Sequence, residues 1–172
     1  MKKKILFILN EFPGAFSPTS IAADAVIREM TKENEVFCLA RRRYGQPAQE
    51  TAEGATVFRV SDGIVSRFEG FAKERGGKGL NLIAAFCKAA RFRLSQILTA
   101  PLYPRFAPFF ERRLKRAALR ICRGYNVDLV VSVCFPGESV AAGHYVRKKM
   151  PRILFVPYMI DAYACGTPPK YL

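Results

Sequence analysis

Apolar residues in this chain follow two patterns: short unbroken runs, which suit strands covered on both faces, and spacings of three and four, which suit helices with one buried face. The first run is Ile5–Leu9, closed by the polar pair Asn10 and Glu11. After a loop reaching Phe16, Ser17 stands as a helix N-cap with Pro18 at the first helical position. Ile21, Ala22, Ala25, Val26 and Met30 recur behind it as the expected buried face. Glu35–Ala40 and Ala55–Val60 read as strands, joined by the basic, Gly- and Pro-bearing stretch Arg41–Gly54. Ser61–Gly79 holds five glycines among charges and reads as a loop. Apolar residues at helical spacing return over Leu80–Leu98, and three prolines (Pro101, Pro104, Pro108) precede a second such helix over Phe109–Arg123. Val127–Val133 is another strand, followed by a turn at Cys134–Gly137, a helix over Glu138–Lys148, and a last strand over Ile153–Val156 ending at Pro157. The order β-α-β-β-α-α-β-α-β with continuous apolar strands predicts a Rossmann-like, doubly wound α/β fold around a mostly parallel sheet.

Composition fits that reading. The chain has 172 residues, half of them hydrophobic, which suits one domain with a sizeable core and excludes a disordered or fibrous chain. A glycine-rich and basic insertion is expected at about 61–108. The start Met1-Lys2-Lys3-Lys4 followed by five apolar residues resembles a secretory leader, but the run stops short of the ~7–15 residues such a leader needs. No apolar stretch approaches the ~20 residues that span a bilayer. Cys38, Cys87, Cys122, Cys134 and Cys165 lie far apart with no metal-site spacing, which suggests reduced thiols of a cytoplasmic protein and no metal or cofactor.

Charge adds a partner class. Twenty-eight Lys and Arg against fourteen Asp and Glu leave +14, a potential that attracts phosphates, anionic lipid or nucleic acid. Thirteen of the basic residues fall between Lys73 and Arg123, where only Glu74 and Glu111 oppose them. On the helix Phe109–Arg123, Phe110, Leu114, Ala117, Ile121 and Tyr125 share one face and Arg112, Arg116 and Arg123 cluster opposite. That helix suits an anionic membrane surface on the inner face of the membrane, or an ordinary core-packed helix with a solvated basic side. No aromatic-interleaved recognition motif supports a specific nucleic-acid partner.

In doubly wound sheets ligands bind beyond the carboxyl ends of the strands, which singles out the loops Asn10–Phe16, Cys134–Ser139 and Pro157–Ala164. The first leads into a helix N-terminus, where free N–H groups favour an anion. With Gly14 as its only glycine it is neither a dinucleotide fingerprint nor a phosphate loop. In the second, Phe135 and Gly137 precede Glu138, which stands at a helix start either as a cleft residue or as a cap. Asp161 in the third is either a hydrogen-bond acceptor for a ligand hydroxyl or a solvated loop residue. His144, the only histidine, sits mid-helix without an acidic or thiol partner nearby in sequence and reads as a surface or boundary residue rather than a catalytic one. No nucleophile–base pair assembles from the sequence, so the catalytic residues stay unassigned.

Taken together, Lys4–Pro13, Glu35–Leu39, Thr56–Val60, Val127–Ser132 with its Phe-Pro turn, and Ile153–Val156 leading to Asp161 resemble, in order and spacing, the N-terminal domain of family 4-type retaining glycosyltransferases. These GT-B enzymes face two Rossmann-like domains across a cleft. The resemblance covers nearly the whole chain. It implies an acceptor-side domain, with the nucleotide-sugar held by a C-terminal donor domain that these 172 residues lack. It further implies that Asn10, Glu11, Gly14 and Ser17 line the cleft under the donor phosphates, and that Glu138 and Asp161 approach the acceptor or the transferred sugar. The function so implied is transfer of a hexose from a nucleotide-sugar to a glycan or lipid-linked acceptor with retention, the fragment alone being inactive. Read from the residues alone, a free-standing module that binds a nucleotide or another protein remains the alternative.

Overall fold

The strand runs converge on one sheet, because their residues are apolar on both faces and each face needs a helical cover. The computed structural model describes residues 2–13, 18–43, 45–61, 86, 89–90, 108–134 and 137–159. Among them, β1 (Lys4–Ile8), β2 (Glu35–Arg42), β3 (Gln49–Ala52), β4 (Ala55–Ser61), β5 (Leu129–Cys134) and β6 (Leu154–Met159) form a six-stranded sheet in the order β3-β4-β2-β1-β5-β6. All neighbouring pairs are parallel except β3 with β4. Helix α1 (Pro18–Glu33) covers one face, and α2 (Pro108–Tyr125) and α3 (Gly137–Lys149) cover the other. This is the Rossmann-like α/β arrangement expected.

Alternation along the central strands divides the core in two. Ile5, Phe7, Val36, Cys38 and Val57 meet Ala23 and Ile27 of α1. Leu6, Ile8, Phe37, Leu39 and Val130 meet Phe110, Leu114, Ala118 and Ile121 of α2 and Ala142 and Val146 of α3. Tyr125 joins this second half through its ring, 4.6 Å from that of Phe37.

Four details differ from the sequence reading. First, β3 was hidden in the stretch assigned to a connection. It is a hairpin arm closed by Glu53 and Gly54, whose φ values of 51° and 78° give the two left-handed positions a tight two-residue turn requires. Second, α1 is rotated about its axis: Ala23, Asp24 and Ile27 are buried, whereas Ile21 and Met30 are exposed. Apolar residues surround most of this helix, so periodicity could not fix its phase; small Ala23 permits the close approach to the sheet. Third, β6 runs through Pro157, tolerated because β6 is an edge strand among the described residues and part of its N–H row has no ladder to serve. Fourth, β5 starts at Leu129, two residues later than expected, because Asp128 is used at the strand entrance: its carboxylate accepts from the Lys4 amide (2.9 Å) and its own amide donates to the Lys4 carbonyl (2.8 Å). Of the helix expected over 80–98, only residues 86, 89 and 90 are described, and all three are helical.

Candidate functional site

The chain winds outward from β1 through β2 and β4 to one side and resumes at β5 and β6 on the other, so the order reverses between β1 and β5. In doubly wound sheets the loops leaving two such strands diverge, and the ligand crevice lies beyond their carboxyl ends. Here it is flanked by Asn10 and Glu11 after β1, by Ser132–Cys134 at the end of β5, and by the first turn of α3. Tyr158 and Met159, paired with Val133 and Cys134, extend the rim towards β6.

The stretch after β1 is held down at several points. Leu9 N–H donates to Leu39 O (3.1 Å), and Arg41 N–H donates to Asn10 O (2.9 Å), extending the β1–β2 ladder. The Glu11 carboxylate pairs with the Arg43 guanidinium. Phe12 is buried in the α1-side core, and its carbonyl accepts from Arg59 Nη2 at 3.1 Å. The Arg59 side chain is only 2% exposed, and it is neutralised by Glu50 of β3. The hydrogen bond from Arg59 holds the Glu50 carboxyl below its ordinary value of 4.5; desolvation opposes this and the Arg59 charge adds to it. The unexpected hairpin thus supplies the counter-charge for a buried arginine that ties down the loop after β1.

Other basic groups gather at this edge. The Arg41 guanidinium lies 4.6 Å from the Phe110 ring centroid at the start of α2, a cation–π contact. Arg42 Nε donates to Gln46 O (2.9 Å), and the Gln46 side chain accepts from Arg43 N (2.9 Å), closing the turn after β2. The described carboxylates here are already engaged: Glu11 with Arg43, Glu50 with Arg59, and Glu111 with Lys115. Glu138, 6% exposed in the first turn of α3, is likewise engaged within the chain. No cluster of three or more His, Cys, Asp or Glu that could hold a metal occurs among the described residues.

Of the residues singled out in the sequence, Asn10, Glu11, Gly137 and Glu138 come together around the crevice. Gly14, Ser17, Phe135 and Asp161 lie outside the described residues. Arg112, Arg116 and Arg123 are exposed on α2, and His144 is exposed on α3. Sequence reasoning missed Arg59 and Glu50. The available signal was a lone arginine between Phe58 and Val60 in an apolar strand, since a charge in such a place implies a buried partner.

No family model matches the sequence, and no curated protein matches it significantly. Among solved structures, the C-terminal domain of a Pyrococcus furiosus hydrogenase is similar at a TM-score of 0.47 and 16% identity, over 92% of each chain. A trehalose-6-phosphate protein from E. coli bound with UDP-2-fluoro glucose is similar at 0.44 and 10% identity, over 91% of this chain and 33% of the other. The α,α-trehalose 6-phosphate synthase of Burkholderia multivorans gives 0.42 and 12% over 92% of this chain and 33% of the other, so the chain spans about a third of the length of these two proteins.

Proposed function

We propose that this chain is the acceptor-side half of a two-domain, GT-B-type glycosyltransferase of the family 4 kind. In this reading the complete enzyme moves a hexose from a nucleotide-sugar to a glycan or lipid-linked acceptor with retention, and a second Rossmann-like domain facing the crevice holds the donor. The observation that carries it is the character of the carboxyl edge. A switch-point crevice lies beside a tied-down loop, while the described carboxylates around it are already engaged. That combination suits a surface that positions an acceptor while the donor and its activation come from elsewhere. Asn10, Glu11, Gly14 and Ser17 would face the donor phosphates, and Phe135, Gly137, Glu138 and Asp161 the acceptor.

The test is calorimetric titration of a nucleotide-sugar panel into the 172-residue chain and into a form carrying a donor-binding second domain, with sugar transfer assayed for both. Binding and transfer confined to the longer form support the proposal. Tight nucleotide binding by the 172 residues alone, or no transfer by the longer form across a broad acceptor panel, refutes it in favour of a free-standing binding module.

A further inference from the structure

The two faces of the sheet are covered unequally. On one side β5 and β6 lie under α3, with Phe155 packed beneath Gly143. On the α1 side the same strands present Leu129 and Val131, both half-buried, beside Leu154 and Val156, which are 65% and 46% exposed. The register pairs Leu154 with Leu129 and Val156 with Val131, so the four form one apolar floor that the described residues leave open.

Helix α1 forms a wall beside this floor. One flank of α1 faces the β3–β4 turn, where Arg28 pairs with Glu53 and Thr31 lies against Gly54. At about 100° per residue, Val26, Met30 and Glu33 then lie on the opposite flank, towards β5. Val26 accordingly shares a core cluster with Leu129 and Val131, and Met30 is exposed. Because α1 sits above β1 and β2, the line between β5 and β6 lies two strand spacings away, ~10 Å. Helices pack side by side at that distance, so the trough has the width of one helix.

The chain also carries a helical segment with an uncovered apolar side. Phe86, Ala89 and Ala90 are helical, fall on one face by their spacing of three and four, and are exposed, Phe86 by 75%. The sequence around them holds Lys88, Arg91 and Arg93, and no carboxylate stands between Glu74 and Glu111. The wall of the trough has the opposite sign, with Glu29 and Glu33 exposed on α1, whereas the carboxylates of α2 and α3 are buried on the other side of the sheet.

We propose that this protein forms a two-fold dimer in which the Phe86 helix of each copy seats in the apolar trough of the other. A second copy is favoured over a chain packing on itself because Phe86, Ala89 and Ala90 stay exposed within one chain. Face-on seating is favoured over strand addition because β6 blunts its own edge. Leu154 N–H donates to Asp128 O, so in a parallel ladder Phe155, Pro157 and Met159 turn their backbone groups outward, and Pro157 has no N–H to offer. Reciprocal exchange closes the assembly at two copies. It also lets chains of net charge +14 associate, since each seat joins a basic segment to the acidic wall. The inference stands apart from the glycosyltransferase reading, and its test needs no sugar.

The experiment is sedimentation velocity on the 172-residue protein across the micromolar range, where a monomer–dimer equilibrium is expected. Loss of the ring weakens each seat by roughly tenfold, and symmetry counts the change twice, so Phe86→Ser should weaken dimerisation by roughly 100-fold. Leu154→Ser/Val156→Ser should do at least as much. Glu29→Gln/Glu33→Gln should weaken it a few-fold, and Arg116→Ser, on the outer side of α2, by less than about twofold. Mixing the Phe86→Ser and Leu154→Ser/Val156→Ser proteins restores one intact seat, because the sound helix of one meets the sound trough of the other. The mixed dimer should be roughly tenfold tighter than either variant forms alone. Circular dichroism confirms that each variant is folded. The proposal is overturned by a wild type that stays monomeric or grows beyond two copies. It is equally overturned by a dimer indifferent to Phe86→Ser, which would mean that another segment fills the trough, or by a mixture no tighter than its parts.

Discussion

Two glycines inside helices should respond in opposite directions to the same substitution, and the difference measures how closely α3 sits on the sheet. In an unconstrained helix interior, Gly→Ala stabilises by about 1 kcal/mol, because glycine loses more backbone freedom on folding. At Gly143 of α3 the added methyl would lie 2.9 Å from Phe155 Cδ2 and closer still to Phe155 Cε2 and Ser132 Oγ, far inside the ~3.5–4.0 Å of ordinary carbon contacts. Ser132 cannot retreat with its strand, since β5 is paired on both sides, to Ile8 of β1 and to Pro157 of β6. The half-buried Phe155 ring gives first. Overpacking of this kind costs about 1–3 kcal/mol, and with two side chains overlapped the upper end applies. After the propensity gain, Gly143→Ala should destabilise by about 2 kcal/mol, lowering Tm by about 4–8 °C for a chain of this size. At Gly124, in the last turn of α2, nothing lies within 4 Å of the same methyl. Gly124→Ala should therefore stabilise, by about 0.5 kcal/mol so near a helix end. Urea unfolding followed by circular dichroism reads both. A Gly143→Ala protein as stable as the wild type, or two variants shifting in the same direction, would refute the close α3–sheet approach.

Four further outcomes follow from buried groups and the partners they engage. The Ser132 hydroxyl is fully buried and meets no hydrogen-bond partner among the described residues, so Ser132→Ala should raise stability by about 1 kcal/mol in urea titration. Arg59→Met strips Glu50 of its partner and the Phe12 carbonyl of a donor. It should cost about 2–3 kcal/mol, less than a fully buried pair because Glu50 is partly solvated. Because the folded-state value of Glu50 is lowered, its contribution is present above its ordinary value and lost as pH falls through the folded one. The stability gap between wild type and Glu50→Gln should accordingly hold at neutral pH and shrink once the pH drops below 4.5; a gap unchanged at lower pH counts against the pairing. Burial raises the Cys122 thiol to about 12, and burial together with the Asp24 charge raises Cys38 further still. Only the thiolate reacts, so Ellman's reagent at pH ~8 should leave both untouched until denaturant is added, which mass mapping of labelled peptides can verify.

The loop after β1 shows how far local pattern reached. The run Ile5–Leu9, the break at Asn10–Glu11 and the following helix together indicated a loop at the carboxyl edge of the sheet, and its described residues 10–13 follow β1 at the switch point. What holds Glu11 there was not legible: its carboxylate pairs with Arg43 across β2, a partner far along the chain. Glu138 is similar, since a carboxylate in a first turn suits a cleft or a cap, and its burial was invisible in the pattern.

The sequence by itself determined what depends on neighbours along the chain. Unbroken apolar runs required a sheet covered on both faces, their alternation with helical spacings required parallel winding, and the one-sided distribution of arginines along α2 required a basic surface opposite its core stripe. Tertiary structure decided what depends on distance through space. It rotated α1 to place Ala23 against the sheet, folded the stretch before Ala55 into an antiparallel arm, and joined Glu50, Arg59 and the Phe12 carbonyl into a tie across three segments. The physical reason is the same in each case. Hydrophobic periodicity records which side of an element avoids water, whereas helix phase, the pairing of a buried charge and the fit of a glycine depend on the shape and charge of residues far away in the sequence.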